Sequence, residues 1–267
     1  MADHLLVDNR GGVLHLTLNR PDVRNAFNEA LISDLAAAFD AAAGDAAVRC
    51  VVLGGAGKMF CTGADLAWMK STASFGEAEN AADARRLAGL FEAVDRCPKP
   101  VIGRIHGAAM GGGVGLVACC DIPVATADTF FAFSEVRLGM APAVISPFVL
   151  RKIGVGAARE LFVTGDRVDA ARALAIGLVN HVVADVAALD AKVAALAASI
   201  LAGPPGAVAA CKQLAMTVGE LDRETAAAET AALIAGLRAG VEGQEGMRAF
   251  LTRTPPAWTL RSDGGDA

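Results

Sequence analysis

The chain has 267 residues, a net charge of −5 and no basic block, which argues against nucleic acid as its main partner. No apolar run reaches the roughly 18 residues of a membrane-spanning helix, and the acidic N-terminal residues lack a signal-peptide core. We therefore expect a soluble, cytoplasmic protein that binds no membrane. The six cysteines have neither metal-ligand nor disulfide spacing, which suits a reducing compartment and predicts no metal site.

The first hundred residues alternate between strand and helix patterns. Asn28 is a suitable helix cap, and Gly44 is a suitable helix end. Two prolines, Pro98 and Pro100, stop the last helix of this region. The predicted elements are a strand at 13–18, a helix from Asn28 to Gly44, a strand at 49–53, a small-residue turn at 61–66 that leads into a helix, and a helix at 77–97.

The segment 109–121 is the centre of the pattern. Three consecutive glycines, Gly111 to Gly113, follow the apolar run 101–105 and open a second apolar run without strand alternation. This order predicts a strand, a glycine turn and a buried helix that ends near Asp121. The first turn of a helix offers free N–H groups and a positive dipole end, so it can hold an oxygen that gains negative charge.

The second half continues the α/β pattern and ends in helices. Residues 203–206, with the sequence Gly-Pro-Pro-Gly, are the best boundary, so we divide the chain into a core at 1–203 and a helical region at 204–267. The apolar faces of that helical region need a partner surface. The predicted elements are strands at 122–126, 130–133 and 178–183 and helices at 146–163, 170–176, 186–202, 207–218 and 221–253.

The glycine turns admit several interpretations. A phosphate loop at Gly57-Lys58 fails, because Met59 replaces the required Ser or Thr. A dinucleotide-binding pattern at 113–118 begins inside the predicted helix rather than at the end of a strand, which argues against it. The turns at 63–64 and 111–112 together form a candidate oxyanion hole, in which two backbone N–H groups converge. The alternative is that these glycines only permit close packing.

Glu135 is the most suggestive carboxylate. It follows three phenylalanines and precedes Val136, and apolar surroundings raise the pKa of a carboxyl group toward the range of a general acid or base. An ion pair with Arg137, or plain surface exposure, remains an alternative. Similarly, Trp68 and Met69 either line an apolar pocket or pack in the core.

Three motifs resemble the signatures of the crotonase (enoyl-CoA hydratase/isomerase) superfamily. They are Phe60–Leu66, Gly107–Gly113 and Phe133–Gly139, and the likeness runs in order from about residue 5 to residue 253. The resemblance implies an α/β spiral of repeated ββα units and a C-terminal helical region that mediates trimers, often paired into hexamers. It also implies an acyl-CoA thioester substrate, with coenzyme A as part of the substrate and no other cofactor.

The resemblance also implies roles for individual residues. The Ala64 and Gly112 N–H groups hold the thioester oxygen and stabilise an enolate-like intermediate, and Glu135 is the catalytic carboxylate. Arg24 and Lys58 lie where basic residues meet the CoA phosphates. The full set of predicted substrate- and CoA-binding residues is Arg24, Ala26, Lys58, Ala64, Asp65, Leu66, Gly112 and Gly115, with Trp68, Met69 and Met110 in the acyl pocket.

The sequence departs from the family's hydratases at Gly115. Those enzymes carry two catalytic glutamates, and Gly115 stands at the first of these positions, so only Glu135 remains. Segments 65–69 and 141–147 resemble bacterial methylglutaconyl-CoA hydratases of leucine degradation and related terpenoid-degrading hydratases. Our hypothesis is an enoyl-CoA hydratase for a branched 3-methylglutaconyl-type substrate, in which space at Gly115 admits the branch or a water and Glu135 directs water to the β-carbon.

Two other functions remain open. Family isomerases of the Δ3,Δ2-enoyl-CoA type often work with a single glutamate at this position, which moves a proton between C2 and C4. The superfamily also contains RNA-associated members, so a non-catalytic CoA- or RNA-binding protein is the third reading. The acidic balance of the chain and the presence of Glu135 argue against this third function.

Overall fold

The computed structural model describes residues 4–72 and 74–259. The strands and helices of these residues alternate along the chain, as α/β proteins do. The strands are β1 Leu5–Arg10, β2 Val13–Leu18, β3 Cys50–Gly55, β4 Val101–Ile105, β5 Ala108–Met110, β6 Ile122–Thr126, β7 Phe130–Ala132, β8 Arg167–Asp169 and β9 His181–Val183. The helices are α1 Glu29–Gly44, α2 Leu66–Ser71, α3 Glu77–Arg96, α4 Gly112–Cys119, α5 Ser146–Thr164, α6 Ala170–Ala175, α7 Val186–Leu201, α8 Pro205–Thr217, α9 Arg223–Ala239 and α10 Val241–Thr252.

Two sheets form the frame of the molecule. The larger has the order β1-β2-β3-β4-β6-β9 and is parallel except for the β1–β2 hairpin. Strand β3 is buried along its whole length, as expected for a parallel strand covered by helices on both faces. One face carries the main core, which includes side chains of α1, α3 and α4, and α7 packs on the other face. The smaller sheet has the order β5-β7-β8.

The small sheet positions the glycine turn. Strand β5 pairs in parallel with β7 and ends at Met110, directly before Gly111. Helix α4 then begins at Gly112, and its residues from Gly113 to Cys119 are all buried. The predicted strand, glycine turn and buried helix are thus confirmed, although β5 was not predicted as a separate strand.

The C-terminal region differs from the prediction in one respect. The single helix predicted at 221–253 is wrong, because Gly240 adopts an extended conformation and separates α9 from α10. The turn is tight: a Cβ built on Gly243 lies 2.1 Å from the Leu237 carbonyl oxygen. Helix α10 leaves Val241, Phe250 and Leu251 largely exposed. The trimer or dimer of trimers and the division at residue 203 stay predictions.

The helices were also compared with the length of a membrane span. Among the residues that the structure describes, no single helix is long and apolar enough to cross a bilayer, although α7 and the segment Pro205–Glu220 would qualify together as a pair bent by 109°.

Candidate active site

The structure brings the two predicted amide turns together. Cys61 pairs with Ala109 through two hydrogen bonds: its N–H donates to the Ala108 carbonyl at 3.1 Å, and its carbonyl accepts from Met110 N–H at 3.0 Å. Phe27 N–H holds the next turn by donating to the Gly63 carbonyl at 2.7 Å. These short backbone pairings join the segment 61–65 to the end of β5. The turns at 63–64 and 111–112 therefore lie side by side.

Glycine is needed where the two turns meet. Gly63 has a φ of +85°, and a Cβ built on it lies 3.0 Å from the Met110 carbonyl oxygen and 3.7 Å from the Gly111 Cα. A Cβ on Gly113 would lie only 2.3 Å from the Cys61 carbonyl oxygen. Side chains at these positions would push the turns apart, so these glycines permit the close packing that aligns the two turns, and the oxyanion hole stays a prediction.

Two amides of these turns are available to a ligand. Within residues 4–72 and 74–259, neither the Ala64 N–H nor the Gly112 N–H donates to a protein acceptor. Gly112 is the first residue of α4, where the N–H has no partner inside the helix and the dipole is positive. Both residues line one cavity. This arrangement can stabilise an oxygen that becomes negatively charged.

The cavity beside these amides is mostly apolar. Its volume is about 310 Å³, within the usual range for small-molecule sites. Glu135 is the one ionisable side chain among the lining residues in the described part of the chain, and Thr62 and Ser134 provide hydroxyl groups. The lining residues are Phe27, Thr62, Gly63, Ala64, Leu66, Trp68, Met69, Leu87, Gly111, Gly112, Ser134, Glu135, Leu138, Met140, Ala141, Pro142, Ala143, Val144 and Ile145.

Glu135 lies in a 3₁₀ turn, Ser134–Leu138, that follows β7 and faces the Gly111 turn. A Cβ built on Gly111 is 3.3 Å from the Glu135 Oε1 atom. The Oε2 atom is buried and has no hydrogen-bond partner among the residues that the structure describes. Burial raises the pKa of the Glu135 carboxyl group, although a hydrogen bond from its own backbone N–H lowers it in part. Arg137 pairs with Asp166 at 3.0 Å instead, which excludes the predicted alternative of an ion pair with Glu135.

Asp65 does not line the cavity but precedes α2 and stabilises the start of this helix. Its carboxylate caps α2 by accepting from Ala67 N–H at 2.7 Å and pairs with Arg20 Nη2 at 2.6 Å. Burial raises the pKa of Asp65, but the hydrogen bonds from Arg20 and Ala67 outweigh it, so that the pKa is lowered. Both oxygens of this carboxylate are therefore engaged within the protein. This differs from the predicted contact with the substrate.

Asn25 is a structural residue that the sequence analysis did not single out. It is fully buried, and its amide group donates to the Ala56 carbonyl at 2.8 Å and the Met59 carbonyl at 2.7 Å. Its amide oxygen accepts from Arg20 N–H at 2.9 Å. Asn25 thus joins the loop after β3 to the segment that carries Arg20. Its φ of 57° is left-handed, a conformation that asparagine tolerates better than most residues.

The remaining predicted site residues divide into two groups. Leu66, Trp68 and Met69 line the cavity, whereas the structure places Ala26 and Met110 outside its lining. Arg24 and Lys58 are exposed residues in neighbouring loops, and the Arg24 carbonyl accepts from Thr62 N–H at 3.2 Å. Their contacts with CoA stay predictions.

The structure corrects the hypothesis about Gly115. No space for a substrate branch or a water exists there, because a Cβ built on Gly115 lies 2.4 Å from Ile145 Cγ2 and 2.8 Å from Phe91 Cε1. Gly115 is buried in α4 and does not line the cavity. The room that a second glutamate would need is occupied by these two apolar side chains.

The fold defines the class of protein, a mixed α/β protein with a C-terminal helical region. The chain belongs to the enoyl-CoA hydratase/isomerase family, whose profile matches residues 8–261, and it has the crotonase fold. It is similar to the crystal structure of an enoyl-CoA hydratase from Mycobacterium smegmatis, with 40% identity, a TM-score of 0.90, and 96% of this chain and 99% of that chain covered.

Curated relatives include both activities of the family. Enoyl-CoA hydratase ACTT6 of Alternaria alternata is 36% identical over 225 residues, which cover 80% of this chain and 73% of that protein. The mitochondrial Delta(3,5)-Delta(2,4)-dienoyl-CoA isomerase of Mus musculus is 39% identical over 213 residues, which cover 75% of this chain and 64% of that protein. Family membership alone therefore leaves hydration and isomerisation as alternatives.

Proposed function

We propose that this enzyme hydrates the 2,3-double bond of a 2-enoyl-CoA thioester. The observation that carries the proposal is the Glu135 carboxylate in the same cavity as the Ala64 and Gly112 amides. Within residues 4–72 and 74–259, neither its buried Oε2 atom nor the two amide N–H groups have a hydrogen-bond partner. A carboxylate with a raised pKa in an apolar cavity is suited to accept and return a proton.

The proposed reaction uses one acid/base group twice. Glu135 takes a proton from water while the water oxygen forms a bond to C3, and the electron pair of the double bond moves toward the thioester carbonyl. The N–H groups of Ala64 and Gly112 stabilise the resulting enolate oxygen. Glu135 then returns its proton to C2, so that one water is added and the carboxylate is regenerated.

The polar residues of the cavity support water addition. The hydroxyl groups of Thr62 and Ser134 lie in the same lining as Glu135, and Ser134 is its neighbour in the chain. Such groups can hold a water by hydrogen bonds beside the carboxylate. They take the place, in this proposal, of the second glutamate that Gly115 does not provide.

The apolar lining supports an uncharged acyl chain. In the described part of the chain, no lining residue is Lys, Arg or His. The second carboxylate of a 3-methylglutaconyl-type substrate would be buried there without a partner, which carries a large free-energy cost. We therefore propose a neutral 2-enoyl group, and the 3-methylglutaconyl ester is a direct comparison in the test.

One observation favours a second candidate, Δ3,Δ2-enoyl-CoA isomerisation. Moving a proton from C4 to C2 needs one carboxylate and no bound water. Among the lining residues that the structure describes, Glu135 is the one ionisable side chain, which agrees with such a site.

A single set of assays separates these functions. The purified enzyme is mixed in H₂¹⁸O with 2-hexenoyl-CoA, 3-hexenoyl-CoA and 3-methylglutaconyl-CoA. Hydration removes the conjugated enoyl absorbance and adds ¹⁸O to the product, whereas isomerisation of the 3-enoyl ester increases this absorbance without ¹⁸O. We expect hydration of 2-hexenoyl-CoA, and less with the charged ester. Absence of ¹⁸O from every product would refute the hydratase proposal.

A further inference from the structure

Ile145 lies between the acyl cavity and helix α4. Its side chain lines the cavity and is only 2% exposed. On the other side, its Cγ2 atom occupies the space that a Cβ on Gly115 would need, at 2.4 Å from that position. The missing side chain of Gly115 therefore lets Ile145 pack against the helix backbone instead of extending into the cavity.

Buried aromatic side chains pack on the side of Ile145 that faces helix α4. Phe91 also approaches Gly115, to 2.8 Å from the same Cβ position, and is fully buried. Its ring packs edge-on against Phe27 at 6.3 Å and tilted against Phe148 at 6.1 Å, measured between centroids. Ile145 is in turn held at the start of α5, where its carbonyl accepts from the N–H groups of residues 148 and 149. A side chain at position 115 would thus displace Ile145 toward the cavity.

We infer that Ile145, seated on Gly115, is the residue that determines the length and bulk of the acyl chain that this cavity accepts. The inference rests on the proposed binding of an acyl-CoA in the cavity and adds the residue pair that forms and supports one of its walls. One methylene group in a hydrophobic pocket changes discrimination by roughly 10–200-fold. The size of a single side chain at this wall is therefore sufficient to select among acyl chains.

The test measures binding, so that it does not depend on turnover. Dissociation constants for butanoyl-CoA and hexanoyl-CoA are measured by calorimetry on wild type, Ile145→Ala and Val149→Ala. Val149 is buried one turn further along α5 and does not line the cavity, so it controls for lost core packing. We expect Ile145→Ala to shift the ratio of the two constants at least about tenfold toward hexanoyl-CoA, and Val149→Ala to leave the ratio unchanged.

The reverse change provides a second arm. Gly115→Ala should push Ile145 into the cavity and weaken hexanoyl-CoA binding more than butanoyl-CoA binding, and the double variant Gly115→Ala/Ile145→Ala should recover it. Circular dichroism checks folding, and Ile145→Val replaces Ile145→Ala if the latter does not fold, with a smaller shift in the same direction. Equal ratios in wild type and the folded Ile145 variants, or no recovery in the double variant, would overturn the inference.

Failure of the proposed function gives a different result. One outcome is that the Ile145 variants shift the ratio of the two dissociation constants as expected, while wild type hydrates no 2-enoyl-CoA. The hydratase proposal is then wrong and the inference holds. If wild type hydrates 2-enoyl-CoA but the binding ratio does not depend on residue 145, the inference alone is wrong.

Discussion

Replacing Glu135 by glutamine is the most direct perturbation of the proposed chemistry. The amide has nearly the shape of the carboxylate, and in the described part of the chain Oε2 has no hydrogen-bond partner to lose. The change therefore removes the ability to accept a proton and leaves the amides of Ala64 and Gly112 in place. Loss of rate without loss of binding is the expected pattern.

The expected magnitude follows from the composition of the cavity. General acid–base catalysis contributes about 10²- to 10⁴-fold to a rate. Among the lining residues that the structure describes, no other side chain is ionisable and able to take over from Glu135. We therefore expect kcat to fall by about 10³- to 10⁴-fold, which corresponds to roughly 4–5.5 kcal/mol of activation free energy.

The assay follows turnover of 2-hexenoyl-CoA and, separately, the binding of butanoyl-CoA by calorimetry. Glu92→Gln on the exposed side of α3 is a matched control, which should keep wild-type kcat. A Glu135→Gln enzyme that retains a tenth or more of wild-type kcat would refute the role of this carboxylate. The base must be deprotonated, so wild-type kcat/KM should fall as the pH decreases through the raised pKa of Glu135, at a higher pH than for an exposed glutamate.

Three further predictions concern the residues that support the site. Asp65→Asn breaks the ion pair with Arg20, so urea unfolding at pH 7 should show a free energy of unfolding lower by about 3 kcal/mol. In wild type, the same stabilisation should be lost only as the pH falls through the lowered pKa of Asp65. Asn25→Ala leaves two carbonyls and one N–H unpaired, so thermal unfolding should reveal a loss of at least about 2 kcal/mol, whereas Asn28→Ala should cost only the ~1 kcal/mol of a helix cap. In Gly63→Ala, the new Cβ would lie 3.0 Å from the Met110 carbonyl oxygen at a residue whose φ is +85°. Because small misplacements of catalytic groups reduce the rate strongly, steady-state kinetics should show kcat lowered at least about tenfold. A wild-type kcat in this variant would contradict the alignment of the amide turns.

Long elements with clear end signals could be predicted from the sequence. Helix α1 begins after Asn28, whose side chain accepts from Leu31 N–H at 2.9 Å, and it ends at Gly44 as expected. The three-residue strands β5 and β8 were not predicted because they are too short to show a period, whereas β7 and β9, of the same length, lie within longer apolar runs that were predicted as strands. The break at Gly240 was not predicted either, because single glycines also occur inside helices.

The candidate site could be predicted in part. The glycine-rich turns at Gly63 and Gly112 indicate exposed backbone N–H groups, and the apolar neighbours of Glu135 indicate a buried carboxyl group. The structure brings these three residues together around one cavity. The surroundings of Gly115 could not be predicted. From the sequence, a glycine indicates missing volume, but whether that volume is empty depends on residues such as Ile145 that approach only in the folded chain.

Two carboxylates at this site, Asp65 and Glu135, differ in their hydrogen-bond partners and in the direction of their pKa shifts. Asp65 has Arg20 and a helix N–H as partners, which hold its pKa low and stabilise the fold when it is charged. Glu135 has a raised pKa, so its contribution to stability is full below the pKa of the unfolded chain and is lost as the pH rises through the folded value. Ionisation of Glu135 therefore lowers the stability of the fold. A carboxylate with only a structural role would gain from a partner on Oε2, and Oε2 has none among the residues that the structure describes, which agrees with the proposed proton transfer by Glu135.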